Sequence, residues 1–196
     1  MGFLGEFEHW NDEHRGVRKV AMDLRSRGLF ADTVSNHRRS TALRLIRRAL
    51  DTNGDGRIDA GEAARARVIL YGQSWGGAAV IRTARDLQRW GVPVLLTVQV
   101  DSVGRHDGTI PANVRAAANF FQHDLLTIRG RSEIRAADAS RTRIIGNFQF
   151  SYYFRPVDAS EASWARRKLG GSHARMELDP AVWAQVERLI LDASAR

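Results

Sequence analysis

The sequence contains no cysteine, and this absence excludes disulfide bonds, thiolate zinc sites and cysteine nucleophiles. No apolar run approaches the ~20 residues that a membrane-spanning helix needs. The first ten residues carry acidic side chains where a secretory signal would have a cationic start and an apolar stretch. We therefore expect a cytoplasmic protein if Met1 is the true start, whereas secretion is possible if the chain is truncated.

Lysine is rare and arginine is abundant. The 196 residues include 30 basic and 22 acidic residues, with a formal net charge of +8, and only Lys19 and Lys168 are lysines. Such a bias occurs in proteins that bind nucleic acids or other anionic surfaces. However, the basic residues are scattered, and no aromatic-interleaved stripe accompanies them. We therefore expect a solvated, arginine-rich surface and no nucleic-acid partner.

The composition and the hydrophobic pattern predict one α/β domain over residues 1–196. Hydrophobic residues make up 43% and charged residues 27%, which is ordinary for a globular protein. Periodicity predicts helices at 12–27, 38–50, 76–90, 111–122 and from Pro180 onward, and strands at 30–34, 68–71, 92–100, 125–128 and 144–150. Because the strands lack polar alternation, we expect a mainly parallel sheet with helices on both faces.

The segment Gly72–Gly76, with the sequence GQSWG, directly follows a predicted strand and directly precedes a predicted helix. In such a tight turn the central serine adopts a strained backbone conformation, and its hydroxyl projects above the edge of the sheet. The following helix N-terminus favours a developing negative charge. Ser74 is therefore a candidate nucleophile. The alternative is a glycine-rich turn with an incidental serine.

A serine nucleophile needs a base and a carboxylate that orients the base. Asp101 follows the strand predicted at 92–100, so it belongs to the same edge of the sheet as Ser74. It is the candidate acid, and the alternative is a loop residue that caps a turn. His173 lies in a glycine-rich loop before the final helix and is the favoured base, with His106 as the next candidate.

Two segments of the sequence are similar to parts of the α/β-hydrolase superfamily, its lipase- and esterase-like members in particular. YGQSWGG resembles the nucleophile elbow of the family, and HARMELDPAVWAQVERLI resembles its closing segment, a catalytic histidine followed by the last helix. The resemblance extends from about Gly2 to Arg196. It implies a partial α/β-hydrolase-like sandwich and a Ser74–His173–Asp101 triad that acts on a small-molecule or lipid-like acyl substrate.

The resemblance also implies an oxyanion hole, although some features of the family are missing from this sequence. Gly2–Gly5 is similar to the HG-x-x-G loop of the family, and by this similarity the backbone N–H groups of Phe3 and Trp75 would stabilise the oxyanion. Met1 replaces the histidine of that loop, and the strand that precedes the loop in the family is missing. The acid follows the strand next to the elbow strand, whereas many members place it one strand later. The chain thus resembles an N-terminally truncated member of the family.

Residues 51–62, with the sequence DTNGDGRIDAGE, fit a 12-residue EF-hand calcium loop at every constrained position. The predicted ligands are Asp51, Asn53, Asp55, the carbonyl of Arg57, Asp59 through water, and Glu62. The alternative is an Asp/Asn/Gly turn without metal. The loop leads into the start of the strand at 68–71, some 15 Å or more from Ser74, so we expect a structural Ca²⁺.

Together these features predict a serine hydrolase of the α/β-hydrolase type that carries a structural calcium loop. The alternative is a non-catalytic calcium-binding protein built on a degenerate hydrolase scaffold. The sequence gives no indication of oligomeric state.

Overall fold

The computed structural model describes residues 1–5, 16–124, 128–158, 160 and 171–195. Within these ranges the helices are α1 (Gly16–Ser26), α2 (Arg39–Leu50), α3 (Ala60–Arg65), α4 (Trp75–Arg89), α5 (Gly171–Leu178) and α6 (Pro180–Ser194). The strands are β1 (Gly2–Leu4), β2 (Thr33–Ser35), β3 (Val68–Gln73), β4 (Val94–Val100), β5 (Thr109–Ile110), β6 (Val114–Gln122), β7 (Arg135–Ala136) and β8 (Arg143–Phe150). None of these described helices is long and apolar enough to cross a lipid bilayer.

Six strands form one sheet in the order β2-β1-β3-β4-β6-β8, and all neighbouring pairs in it are parallel. Strands β5 and β7 form a separate parallel pair. This architecture confirms the predicted α/β class with a mainly parallel sheet. Because the strands of the main sheet run in one direction, the loops that follow them meet at one edge of it.

Helices cover both faces of the sheet, as predicted. Successive residues of a strand point to opposite faces, so Leu70 belongs to one buried cluster and Tyr71 to the other. The cluster around Leu70 includes residues of α2, α3 and α4. The cluster around Tyr71 includes residues of α1, α5 and α6. Burial on both faces explains why the central strands contain almost continuous apolar residues.

Most of the predicted elements are present, with boundaries that differ by a few residues. The helix predicted at 12–27 is observed from Gly16, and residues 12–15 lie outside the described ranges. The final helix begins at Pro180, and the Asp179 side chain accepts a hydrogen bond from the N–H of Ala181 at 2.9 Å. This is the predicted arrangement of an aspartate N-cap with proline at the first helical position.

The predicted helix at 111–122 is wrong, because this segment forms strand β6. Proline followed by alanine-rich sequence favours a helix, but β6 pairs with β4 on one side and with β8 on the other. These two ladders satisfy the backbone groups of the strand, and tertiary context of this kind overrides a weak local propensity. Of the strand predicted at 125–128, only Ile128 lies within the described residues, and it is not in a strand.

Candidate functional site

Ser74 is the single residue between the end of β3 and the start of α4. Its backbone has φ 56° and ψ −126°, a conformation that L-residues rarely adopt and that carries strain. Two hydrogen bonds hold it there: the Ser74 N–H donates to the carbonyl of Val100 at 2.9 Å, and the Ser74 carbonyl accepts from the N–H of Gly77 at 3.0 Å. The turn thus fixes the serine at the carboxyl edge of the sheet.

The glycines on either side of Ser74 are required by close contacts between backbones. A Cβ atom on Gly76 would lie 2.1 Å from the carbonyl oxygen of Phe3, and one on Gly72 would lie 2.6 Å from the carbonyl oxygen of Gly76. Contacts this short do not occur with real side chains. The spacing of glycines in GQSWG therefore allows β1, β3 and α4 to pack closely enough to form the turn.

The structure brings Ser74, His173 and Asp101 together in one continuous chain of contacts. Nε2 of His173 lies 3.0 Å from Oγ of Ser74, and Nδ1 of His173 lies 2.6 Å from Oδ2 of Asp101. All three residues are buried, and Asp101 is completely so. The expected loop around His173 is wrong, since this residue lies in the first turn of helix α5. The two consecutive glycines at 170–171 indicated a loop.

Four donors surround the carboxylate of Asp101. Its Oδ1 accepts from two backbone N–H groups, that of Gln122 at 3.2 Å and that of Gly130 at 2.9 Å. Its Oδ2 accepts from the side-chain Nε2 of Gln122 at 3.0 Å and from Nδ1 of His173. These contacts hold the carboxylate in one orientation, with Oδ2 facing the imidazole. Sequence reasoning missed Gln122 because it assigned β6 to a helix, and nothing in the sequence indicated Gly130.

A second buried aspartate anchors the start of α5. Asp124 accepts hydrogen bonds from the hydroxyl of Ser172 at 2.6 Å, the hydroxyl of Ser151 at 2.9 Å and the N–H of Tyr152 at 2.7 Å. Burial acts to raise the pKa of Asp124, but these hydrogen bonds and the charge of Arg175 outweigh it, so the pKa is lowered. The ionised carboxylate ties the segment after β8 to the residue next to His173.

His106, the alternative base, lies in the loop after β4 with φ 60°. Its carbonyl accepts a hydrogen bond from Arg85 at 2.7 Å, and the residue lines a small polar cavity together with Arg131. The imidazole that contacts Oγ of Ser74 is that of His173.

The two predicted oxyanion donors, Phe3 and Trp75, lie in different kinds of backbone structure. Trp75 is the first residue of α4, so its N–H has no partner within the helix, and it directly follows Ser74. Phe3 lies inside β1 and pairs with Gly72 of β3, two residues before Ser74 in the sequence. Because the N–H of Gly2 points towards β2, that of Phe3 points into the ladder with β3. The prediction of Phe3 is therefore wrong, since the segment that resembles a loop is a strand.

The loop at residues 51–62 is organised by its own side chains. Oδ1 and Oδ2 of Asp51 accept from the N–H groups of Gly54 and Gly56 at 2.7 and 2.8 Å. Oδ1 of Asn53 accepts from the N–H of Asp55 at 2.9 Å, and Oδ1 of Asp55 accepts from that of residue 57 at 2.7 Å. Gly54 and Gly56 have φ +76° and +78°, a conformation that glycine adopts without strain.

Glu62 and Asp59 form a capping box at the start of α3. Oδ1 of Asp59 accepts from the N–H of Glu62 at 2.8 Å, and Oε2 of Glu62 accepts from the N–H of Asp59 at 3.1 Å. The other oxygen, Oε1, accepts from the N–H of Thr52 at 2.6 Å. Backbone hydrogen bonding, first with Asp59 and then with Thr52 and Asn53, lowers the pKa of Glu62, although burial opposes this shift.

The predicted calcium ligands are chemically suitable, but their carboxylates do not form a metal-binding group in the described part of the chain. Within the described ranges, no three His, Asp or Glu side chains form a group that could hold a metal ion. The Glu62 oxygens instead face backbone N–H groups. If Glu62 bound Ca²⁺ through both oxygens, it would have to weaken these hydrogen bonds to Thr52, Asn53 and Asp59.

Comparisons of this chain with protein-family models, with curated proteins and with solved structures find no significant match. Its function must therefore be inferred from its own residues.

Proposed function

We propose that this protein is a serine hydrolase of the α/β-hydrolase type that cleaves an ester, a thioester or a related acyl compound. The observation that carries this proposal is the unbroken contact chain from Oγ of Ser74 through the imidazole of His173 to the carboxylate of Asp101. The strained backbone of Ser74 supports it further, because such strain is found where a hydroxyl is held in position for reaction.

The proposed reaction follows from the donor and acceptor roles of these atoms. Nδ1–H of His173 donates to Asp101, so Nε2 has a lone pair that can take the proton of Ser74. Oγ then attacks the acyl carbon, and the carbonyl oxygen becomes an oxyanion. In the proposed mechanism the N–H of Trp75, at the start of α4, donates to this oxyanion.

The protonated His173 next gives its proton to the leaving group, the bond between that group and the acyl carbon breaks, and an acyl-serine remains. In the second half, His173 removes a proton from a water molecule, whose oxygen attacks the acyl carbon. The bond to Oγ breaks, a carboxylic acid is released, and Ser74 regains its proton.

Exposed apolar side chains at the same edge favour an apolar, lipid-like acyl group. Trp75 follows β3, Ile128 lies in the segment after β6, and Tyr153 and Phe154 follow β8; all four side chains are exposed. Large apolar groups grouped around a site often mark the surface that binds an apolar ligand.

Labelling with a fluorophosphonate, which reacts covalently with activated serines, tests the proposed nucleophile. We expect the wild-type protein to be labelled and Ser74→Ala to remain unlabelled. Ser102→Ala is the matched control, because Ser102 is also buried, two residues after the end of β4, but its hydroxyl donates to Asp107. Labelling of Ser74→Ala, or a folded wild-type protein that is never labelled, would contradict the proposal and favour the non-catalytic alternative.

We also propose that residues 51–62 bind a structural Ca²⁺ ion. Oxygen-bearing side chains at loop positions 1, 3, 5, 9 and 12 match the requirement of this cation for several oxygen ligands. The positive φ of Gly56 also supports the proposal, because a calcium loop of this kind turns sharply at a glycine in its sixth position.

Calcium titration by calorimetry tests this second proposal, with Asp55→Asn as the informative variant. Asparagine keeps an oxygen that can accept from the N–H of Arg57 but removes one negative charge. We expect weaker calcium binding by Asp55→Asn and an unchanged melting temperature in chelator. An equal melting temperature of the wild-type protein in calcium and in chelator would contradict a structural ion.

A further inference from the structure

Gln73 is a buried polar residue next to the candidate nucleophile that the reaction described above does not use. It is the last residue of β3, and its side chain is 1% exposed. Its Nε2 lies 3.3 Å from Nε2 of His173. Its Oε1 is buried and has no hydrogen-bond partner in the part of the chain that the structure describes. The amide therefore contacts the imidazole through one end and leaves the other end unsatisfied.

Nε2 of the neutral imidazole needs a hydrogen-bond donor as its partner, whereas Nε2–H of the protonated imidazole needs an acceptor. In the neutral ring Nδ1–H donates to Asp101, so Nε2 is an acceptor with one lone pair, which the hydroxyl of Ser74 at 3.0 Å and the amide N–H of Gln73 at 3.3 Å share. Once Nε2 has taken a proton it becomes a donor, and it then faces another donor. A rotation of the terminal amide group of Gln73 by about 180° would bring Oε1 next to Nε2–H of His173 and give this buried oxygen a hydrogen-bond donor.

We propose that Gln73 is a positioning residue whose amide follows the protonation state of His173. It donates to the neutral ring through Nε2 and, after the amide turns over, accepts from the protonated ring through Oε1. The hydrogen bond to the cation is the stronger one, because charge-assisted bonds are roughly twice as strong as neutral ones. Gln73 therefore favours the protonated ring. This inference rests on the proposed function only for the step in which His173 takes a proton.

Other charged groups near His173 are left unchanged by substitution of Gln73. Asp101 contacts Nδ1 directly, and Asp124 contacts the hydroxyl of the neighbouring Ser172. Arg175, on the same helix, donates to the carbonyl of Tyr152 at 2.9 Å. Glu177, also on α5, is buried. A change at Gln73 thus tests the amide against a constant electrostatic background.

Titration of the His173 ring by NMR measures this effect without any need for activity. Gln73→Met removes both ends of the amide at similar size, and we expect the titration midpoint of the ring to fall by about 0.5–1 pH unit. Gln73→Glu places a carboxylate beside Nε2, and we expect the midpoint to rise. A midpoint that is unchanged or higher in Gln73→Met would overturn the proposal.

Gln99→Met is the matched control. Gln99 is fully buried on the adjacent strand β4, and its Nε2 donates to the carbonyl of Asp107 at 3.1 Å while its Oε1 also has no partner in the described part of the chain. We expect the midpoint of His173 to be unchanged in this variant. An equal fall in both variants would overturn the proposal, because it would reflect a general loss of polarity in the sheet.

Fluorophosphonate labelling separates this inference from the proposed function. If the midpoint shifts in Gln73→Met but the wild-type protein is never labelled, the coupling of Gln73 to His173 stands and the hydrolase function fails. If the wild-type protein is labelled but the midpoint does not move, the hydrolase function stands and the role of Gln73 fails. If both hold, the acid limb of kcat/KM against pH shifts with the midpoint.

Discussion

At the scale of single residues, Gly130 shows how strictly the candidate acid is held. A Cβ atom on Gly130 would lie 2.1 Å from Oδ1 of Asp101, the oxygen to which the Gly130 N–H donates. The same Cβ atom would lie 2.5 Å from Cα of Asp101, so in Gly130→Ala both the carboxylate and the neighbouring backbone must move. A displacement of about 1 Å in an active site can cost about 100-fold in rate. We expect kcat/KM for a short-chain ester to fall on that order.

Gly108→Ala provides the control for this variant. The three atoms nearest to a Cβ atom there all belong to the side chain of Arg131, with Cδ at 2.8 Å, so this side chain and its ion pair with Asp107 must adjust while Asp101 is not touched. We expect this variant to keep nearly wild-type kcat/KM, with folding of both variants checked by circular dichroism. Equal activity of the two variants would show that the position of Asp101 does not control the rate.

The three central residues of the site were predictable from the sequence, whereas their supports were not. Ser74 has a local glycine pattern, and Asp101 follows an obvious strand. Gly130 and Gln122 reach Asp101 through the path of a loop and the register of β6, which no local pattern encodes. The prediction that Phe3 is an oxyanion donor failed for the same reason, because the position of Phe3 in the sheet is set by its pairing with β3.

At the scale of elements, predictions succeeded where hydrophobic periodicity and capping agreed. Helix α6 has a buried apolar stripe, an aspartate N-cap and a proline at its first position, and it begins where predicted. Strand β6 was misassigned because its alanines at 116–118 favour a helix locally. In the sheet these small residues lie between β4 and β8, with both neighbours supplying backbone hydrogen bonds. Such pairing is non-local and cannot be read from one segment.

The capping box of α3 predicts a pH-dependent contribution to stability. Hydrogen bonds to Glu62 lower its pKa below the ordinary 4.5, so the ionised side chain stabilises the folded state above that pH. This contribution is lost as the pH falls through the lowered value. We therefore expect the difference in unfolding free energy between the wild-type protein and Glu62→Gln to be constant above about pH 5 and to shrink below it.

Urea denaturation in chelator at a series of pH values measures this difference without any contribution from a metal ion. Asp55→Asn serves as the control, since Asp55 lies in the same loop but outside the capping box. A gap between the wild-type protein and Glu62→Gln that is independent of pH would contradict the assigned role of the carboxylate.

The N-cap of α6 predicts a second effect at this scale. Asp179 is 2% exposed; it accepts from the N–H of Ala181 at 2.9 Å and from the hydroxyl of Tyr152 at 3.0 Å. Asp179→Ala removes the cap and leaves the hydroxyl of Tyr152 buried without this partner. We expect a loss of about 1–3 kcal/mol in the free energy of unfolding, measured with urea. Asp192→Ala, at the exposed far end of α6, should change it little.

At the scale of the whole molecule, the parallel sheet separates the two proposed sites. Ser74 and Asp101 follow the carboxyl ends of β3 and β4, whereas the loop at 51–62 and helix α3 precede the start of β3. The six residues of β3 span about 20 Å at roughly 3.3 Å per residue. A calcium ion in that loop would therefore affect the stability of the entry to β3, and the chemistry at Ser74 would proceed without contact with it.

The same geometry predicts which exposed aromatic residue affects the choice of substrate. Phe154 is fully exposed in the segment after β8, at the edge that carries Ser74, whereas Phe30 is 76% exposed in the segment before β2, at the opposite edge. If Phe154 contacts an apolar acyl chain, Phe154→Ser should lower kcat/KM for long-chain p-nitrophenyl esters about 10-fold and leave that for the acetate ester nearly unchanged. Phe30→Ser removes an equally large exposed ring and should leave both values unchanged. A uniform loss across chain lengths in Phe154→Ser, or the same profile in both variants, would contradict an acyl-binding surface at the carboxyl edge.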